Sequence, residues 1–262
     1  GVNFSHYDFG TATGEAFTTT PATTWALTNV QKGGQIRDFI TWQNTGDTDA
    51  PVTVTFYFDN AEPIVLTNIR TTQAFRRGGL SINDLPVLPD GTFSAVVTST
   101  QPLVAALTHF DPTGDGFGSS TLGVSGTGQN VAILPMANLT NSSTESITFL
   151  NTGTTAAVVT LIFSFNDGSP DVSVTPPSLL LGVNRRASFD PSTVGALAGK
   201  SYTVRYSSGS SRVYAEAIHR ERGDEVASPL AYTAATRHDF AEGFMDPARA
   251  GNDVFETLSI YN

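Results

Sequence analysis

Apolar and β-branched positions alternate with polar ones in short runs, and Asp, Asn, Gly and Pro break the runs at intervals. Val52, Val54, Phe56 and Phe58 alternate with Thr53, Thr55 and Tyr57, the period-two signature of a strand with one buried face. Residues 156–165 are nearly continuous in apolar character, which predicts a central strand. Turns are predicted at Asn44-Thr-Gly46, Pro89-Asp-Gly91, Asn166-Asp-Gly168 and Ser208-Gly-Ser210. No long window carries a helical stripe. The best candidate, Ser192–Ala198, predicts one helical turn at most and holds a glycine in its middle. The pattern predicts an all-β chain.

The pattern also repeats. Asp38-Phe-Ile-Thr-Trp-Gln-Asn44-Thr-Gly46 returns as Ser146-Ile-Thr-Phe-Leu-Asn151-Thr-Gly153, and again as Glu256-Thr-Leu-Ser-Ile-Tyr-Asn262. Pro51–Phe58 matches Val158–Phe165, and Phe75-Arg76-Arg77 matches Asn184-Arg185-Arg186. Phe93–Ser99 followed by Leu103–His109 matches Tyr202–Ser208 followed by Val213–His219. Phe4-Ser-His6-Tyr-Asp8 reads as one more closing strand. The period of about 110 residues suits an immunoglobulin-like sandwich of about seven strands.

The expected organisation is therefore two tandem immunoglobulin-like β-sandwich domains. Residues 1–128 hold the closing strand of a preceding repeat and the first sandwich. Residues 129–236 hold the second, and 237–262 the opening strand of a further repeat. The Gly-, Ser- and Thr-rich segments 111–130 and 223–237 are expected to be linkers or extended crossovers.

Composition narrows the class. Charged residues are only 15%, and the net charge of −10 argues against a nucleic-acid partner. Only Lys32 and Lys200 among the basic residues are lysines. The absence of cysteine in a β-rich chain suits a bacterial exterior, where packing alone must stabilise the fold. No run reaches the about 18–20 apolar residues of a membrane-spanning helix, so no membrane insertion is expected in this segment.

His238-Asp-Phe240-Ala-Glu-Gly243, followed by Phe255-Glu-Thr-Leu-Ser-Ile-Tyr-Asn262, resembles the opening of β-sandwich repeats in bacterial extracellular proteins. The closing element of that family is similar to Val213-Tyr-Ala215-Glu216, and more loosely to Pro102-Leu-Val-Ala105, where the Ala-Glu pair is missing. The resemblance implies a secreted or cell-surface location. It implies no catalytic activity and transfers no active-site residue.

Candidate chemistry is sparse. His6/Asp8, His109/Asp111 and His219/Glu221 stand two apart on strands, so each pair could offer two ligands to one cation. A hydrogen bond repeated within each unit is the competing and favoured role. Asp47, Asp49, Asp111 and Asp115 lie in acidic turns that could take calcium, the one cofactor considered, but no Glu closes an EF-hand loop and ordinary solvated turns are the favoured role. Arg76-Arg77 and Arg185-Arg186 are expected either to blunt a strand edge or to bind an acidic neighbouring repeat. No nucleophile elbow or phosphate loop is present, so no catalytic residue is expected.

The expected function is a structural unit of an extracellular assembly such as a filament, sheath, stalk or surface layer. Its partners would be copies of itself or adjoining repeats. Phe255, Leu258, Ile260 and Tyr261 are the anchors expected if the last strand pairs with a neighbour. The alternative is an adhesive module with glycans as ligands.

Overall fold

The computed structural model describes residues 3–8, 11–16, 18, 20–113, 117–140, 143–221 and 224–230. Asp115 and the expected opening strand in 237–262, with Phe255, Leu258, Ile260 and Tyr261, lie outside the described residues. The described chain is all-β, with short 3-10 turns and no α-helix. Its first strands are β1 (Asn3–Asp8), β2 (Thr11–Ala16), β3 (Ala22–Lys32), β4 (Arg37–Asn44), β5 (Ala50–Tyr57), β6 (Ile64–Thr72), β7 (Arg77–Ser81), β8 (Gly91–Asp111), β9 (Phe117–Leu122) and β10 (Val124–Ser125). They are followed by β11 (Val131–Asn138), β12 (Ser143–Asn151), β13 (Ala157–Val158), β14 (Thr160–Phe165), β15 (Val172–Val174), β16 (Leu180–Leu181), β17 (Arg185–Phe189), β18 (Ser201–Ser207), β19 (Tyr214–Glu221) and β20 (Asp224–Pro229).

All pairings among these strands are antiparallel. In the first repeat, β8 is one unbroken strand across the two segments expected separately at 93–99 and 103–109. Its first half pairs with β3 and β5, and its second half with β4 and β9. In the second repeat the equivalent strands β18 and β19 are separate. Here β11-β18-β14-β15 and β17-β12-β19-β20 form two four-stranded sheets. The tight turn at Gly209, with a φ of 64°, lies between β18 and β19.

Three expectations are corrected. Segments 111–130 and 223–237 are not plain linkers, because β9 and β20 fold back as hairpins onto β8 and β19. Ser119 and Thr121 of β9 are buried, where short hydroxyl side chains fit a pleated strand. The run 156–165 is broken at Val159 into β13 and β14, which pair with different strands. At Ser192–Ala198 two 3-10 turns replace a helical turn. Asp190 caps the first by accepting from the Ser192 amide, and Gly195 opens the second.

Buried apolar residues gather in two large clusters. One draws on Trp25, Ile40, Trp42, Val54, Phe56, Phe93 and Val97 from the first repeat. The other draws on Ile147, Phe149, Leu161, Phe163, Val204 and Tyr206 from the second. Each core holds an edge-on aromatic pair, with ring centroids 5.5 Å apart for Phe56–Phe93 and 5.3 Å for Phe149–Tyr206. Trp42 sits where the second repeat has Phe149, and its indole N–H donates to the Thr72 hydroxyl at 2.7 Å. Glycine at 78 is required there, since a Cβ would stand 2.4 Å from that nitrogen.

The repeated Asn is the clearest shared device. Asn44 donates through Nδ2 to the carbonyls of Thr48, Thr72 and Gln73, and its Oδ1 accepts from the Gly46 amide. Asn151 donates to Thr155, Leu181 and Gly182, and accepts from Gly153. Both are fully buried. Each ties the strand end to its own turn and to the chain that leads into the next strand. That incoming chain turns through a left-handed residue at the same place in both repeats, Phe75 (φ 56°) and Asn184 (φ 55°). Replacing Asn151 with Ala orphans buried backbone groups. We expect a loss of about 3 kcal/mol in urea unfolding, against less than about 0.5 kcal/mol for Ala at exposed Thr154.

Candidate functional site at the joint between repeats

Strand residues point alternately to the two faces of a sheet, so a strand buried on both faces must have neighbours on both. β12 is such a strand. Ile147 and Phe149 face the second core, while Thr148 and Leu150, on the opposite face, are also fully buried. Leu150 and Tyr214 pack against Ala26 and Val96 of the first repeat, with Tyr57 and Val124 at the margin. The Tyr214 hydroxyl donates to the Gly126 carbonyl at 2.5 Å. The equivalent strand β4 has Thr41 and Gln43 at the matching positions, and both are exposed. Strand β12 is thus covered on both faces, whereas β4 is open at Thr41 and Gln43.

Polar side chains are sealed into this joint. Glu216, next to Thr148 across β12 and β19, accepts from the Thr28 hydroxyl at 2.8 Å. Burial pushes its carboxyl up to about 7, against hydrogen bonds from Thr28 and Thr121 and with help from the charge of Glu225. Arg186, only 3% exposed in its side chain, donates to Asp59 at 2.7 Å, and its backbone amide donates to the Phe58 carbonyl. Arg185 pairs with exposed Glu62. Arg185 and Arg186 of the second repeat therefore both meet the acidic turn that follows β5 in the first.

A second buried polar group lies where the hairpins meet. His109 Nδ1 is 2.6 Å from Asp38 Oδ1, directly across β4 and β8. Its Nε2 is 4.0 Å from Glu225 of β20 and has no hydrogen-bond partner. Glu225 accepts from Ser119 of β9 and from Arg220 Nε at 2.5 Å, and Arg220 lies over the Phe117 ring. Burial would strip His109 of its proton, but the Asp38 hydrogen bond and charge, with the charge of Glu225, raise its pKa above the ordinary imidazole value. In the second repeat His219 Nδ1 is 3.0 Å from Glu145 Oε1, again directly across the ladder. The Glu145 hydrogen bond raises the His219 pKa against partial burial. The Tyr202 hydroxyl donates to the same carboxylate.

Ser, His and Asp are the residue types of a nucleophilic triad, but this arrangement differs from one. Ser119 donates to Glu225 rather than to His109, and Ser119, His109, Asp38 and Glu225 are all buried. What the geometry does is hold strands and hairpins together.

The residues singled out from the sequence fall in different places. Arg185 and Arg186 lie in the joint, whereas the matching Arg76 and Arg77 are exposed on β7 and its approach. Asp49 accepts from the Ala74 amide, and Asp111 from the Thr113 amide and hydroxyl. Asp47 is exposed in the turn after β4. His219 Nε2 is 3.6 Å from Glu221, while His109 takes Asp38 rather than Asp111 as its partner. Among the described residues no three His, Asp or Glu side chains form a metal-binding group. Sequence reasoning missed Asp38 and Glu145 as the histidine partners. The signal was available, because each stands six positions before the repeated Asn.

No family model matches the chain, and no curated protein matches it. Among solved structures it is similar to Thermotoga maritima 1070, with 20% identity, 41% of this chain and 97% of the other covered, and a TM-score of 0.38. It is also similar to the Anabaena sensory rhodopsin transducer, with 28% identity, coverages of 34% and 97%, and a TM-score of 0.29. Red sea bream transglutaminase shares 8% identity, with coverages of 83% and 30% and a TM-score of 0.19. All three superpose too loosely to carry an argument.

Two outcomes are expected from the joint. A carboxyl whose folded pKa exceeds its unfolded one binds its proton more tightly when folded, so its contribution is full at low pH and is lost as pH rises. For Glu216 the loss runs from about 4.5 through about 7 and amounts to about 3 kcal/mol. The raised values of His109 and His219 act in the same direction. Unfolding free energies between pH 4 and 8 should therefore fall with pH, and Glu216→Gln should flatten most of the slope; an unchanged slope contradicts the assignment. Separately, Arg186→Ala should cost about 2 kcal/mol in thermal or urea unfolding, and Arg77→Ala less than about 0.5 kcal/mol.

Proposed function

We propose that the chain is a structural element of a bacterial extracellular assembly, built from two immunoglobulin-like β-sandwich repeats stacked against one another. The observation that carries this reading is the doubly covered sheet of the second repeat. Its outward residues Thr148, Leu150, Arg186, Tyr214 and Glu216 are buried at the joint; of their matches, Thr41, Gln43 and Arg77 are exposed, Val104 is half-buried and Ala106 is buried. The chain uses its side chains to fix one repeat on the next, as a stalk or filament unit must in order to transmit force. Absence of cysteine, the acidic surface and the resemblance to extracellular repeats support the location. The reading assigns no catalytic role.

An adhesive or carbohydrate-binding module is the second reading, favoured by exposed apolar residues at loop positions such as Phe75, Val87 and Val183. Negative-stain microscopy and sedimentation of the purified chain, with a glycan array in parallel, separate the two. The structural reading expects ordered oligomers or filaments and no retained sugar. A monodisperse monomer that binds one glycan class contradicts it.

A further inference from the structure

β9 lays one face along the closing hairpin of the second repeat. Its alternate residues Phe117, Ser119 and Thr121 meet Arg220, Glu225 and Glu216 in turn. The ring lies against the guanidinium, and the two hydroxyls reach the two carboxyl groups. From β3, the Thr28 hydroxyl closes over Glu216 at 2.8 Å. From β8, His109 stands opposite Ser119 and brings Nε2 to 4.0 Å from Glu225. Glu216, Glu225, His109, Thr28, Ser119 and Thr121 are all buried. Two carboxyl groups of one repeat are thus enclosed by strands of the other. Glu216 is received by hydroxyls, and the charge that bears on it, that of Glu225, is of its own sign.

Resting on the reading of the repeats as stacked, we propose that this pocket is a proton-operated latch. The joint is locked while Glu216 holds its proton and hinges open once the pocket turns anionic, each sandwich staying folded. The groups that set its charge are Glu216 and Arg220 on β19, Glu225 on β20, His109 on β8 and, behind it, Asp38 on β4. With Glu216 neutral and His109 protonated, Arg220 and His109 balance Glu225 and Asp38. Against its own burial, His109 is held above the ordinary imidazole value by Asp38 and Glu225, and burial holds Glu216 at about 7. Both protons therefore leave as pH rises. Their loss puts two uncompensated negative charges into a contact that excludes water. On the β12 side, Thr148 lies opposite Glu216 and is linked through Ser188 to Arg186, which Asp59 already neutralises.

The joint gives way before either sandwich because its apolar part is small. Ala26, Val96, Leu150 and Tyr214 form it, whereas each repeat has a far larger cluster of its own. The raised groups act with one sign. A carboxyl or imidazole that holds its proton more tightly in the closed joint favours closure at low pH and loses that contribution as pH rises.

The cysteine-free sequence lets a single thiol report on the joint. Ala26→Cys places it in the contact, Ala95→Cys inside the first core and Thr154→Cys on the surface. Each full chain reacts with a pyridyl disulfide at pH 5 and pH 8, and rates are divided by that of the surface thiol at the same pH. The Ala26→Cys rate should rise about fiftyfold between the two, as a shift of Glu216 from 4.5 to about 7 requires. The Ala95→Cys rate should stay unchanged, and adding Glu216→Gln should remove most of the rise at position 26. Leu150→Cys, on the other side of the contact, should follow Ala26→Cys. Slow reaction of Ala26→Cys and Leu150→Cys at both pH values overturns the latch and leaves the stacked repeats standing. Fast reaction of both at both pH values overturns the latch and the stacking together. An equal rise at Ala95→Cys, or a rise that survives Glu216→Gln, overturns the latch.

Discussion

A β-sheet with apolar residues on both faces cannot be left half covered, and this constraint organises the described chain. The sheet of β17, β12, β19 and β20 places Ile147 and Phe149 in one core, and Leu150 and Tyr214 against the neighbouring repeat. Removing the first repeat would expose that second face and return Glu216 and Arg186 to water. The polar residues in the joint fit the same logic. A carboxyl and a guanidinium enter an apolar contact only where hydroxyls, carbonyls and an opposite charge receive them. Thr28, the Phe58–Asp59 turn and the Thr92 carbonyl are placed to do so.

The two repeats agree inside and differ outside. Their cores share the buried Asn, the left-handed residue before the first Arg, and a histidine paired with a carboxylate across the ladder. Their outward faces carry different residues at equivalent positions: Gln43 for Leu150, Ala106 for Glu216, and exposed Arg77 for buried Arg186. On the receiving side, exposed Arg205 stands where the first repeat has Val96. A common interior with individual surfaces fixes the order of neighbours, because a wrong pairing would bury an unmatched charge.

Much of the interior was legible in the sequence, since it is written in periodicity and in turn residues. Alternation located β5, and the Asn-Thr-Gly turns marked the ends of β4 and β12. Trp42 and Phe149, which the repeat puts at matching positions, are both buried in the cores. The joint was harder to read. Nothing in an alternating pattern distinguishes Leu150 facing a neighbour from Leu150 at the edge of its own core. Glu216, in the Ala-Glu closing motif, is covered by Thr28 from a strand 188 residues earlier, which no local pattern announces. Segments 111–130 and 223–237 read as linkers or extended crossovers because Ser, Thr and Gly are common to linkers and to strands in close contact, and only packing tells them apart.

The central claim is that the two repeats form one mechanical unit through a buried joint. Differential scanning calorimetry of the intact chain at pH 5, where Glu216 holds its proton, tests it most directly. The account predicts one transition whose calorimetric and van't Hoff enthalpies agree. Two resolved transitions, each with the enthalpy of a single repeat, would contradict it.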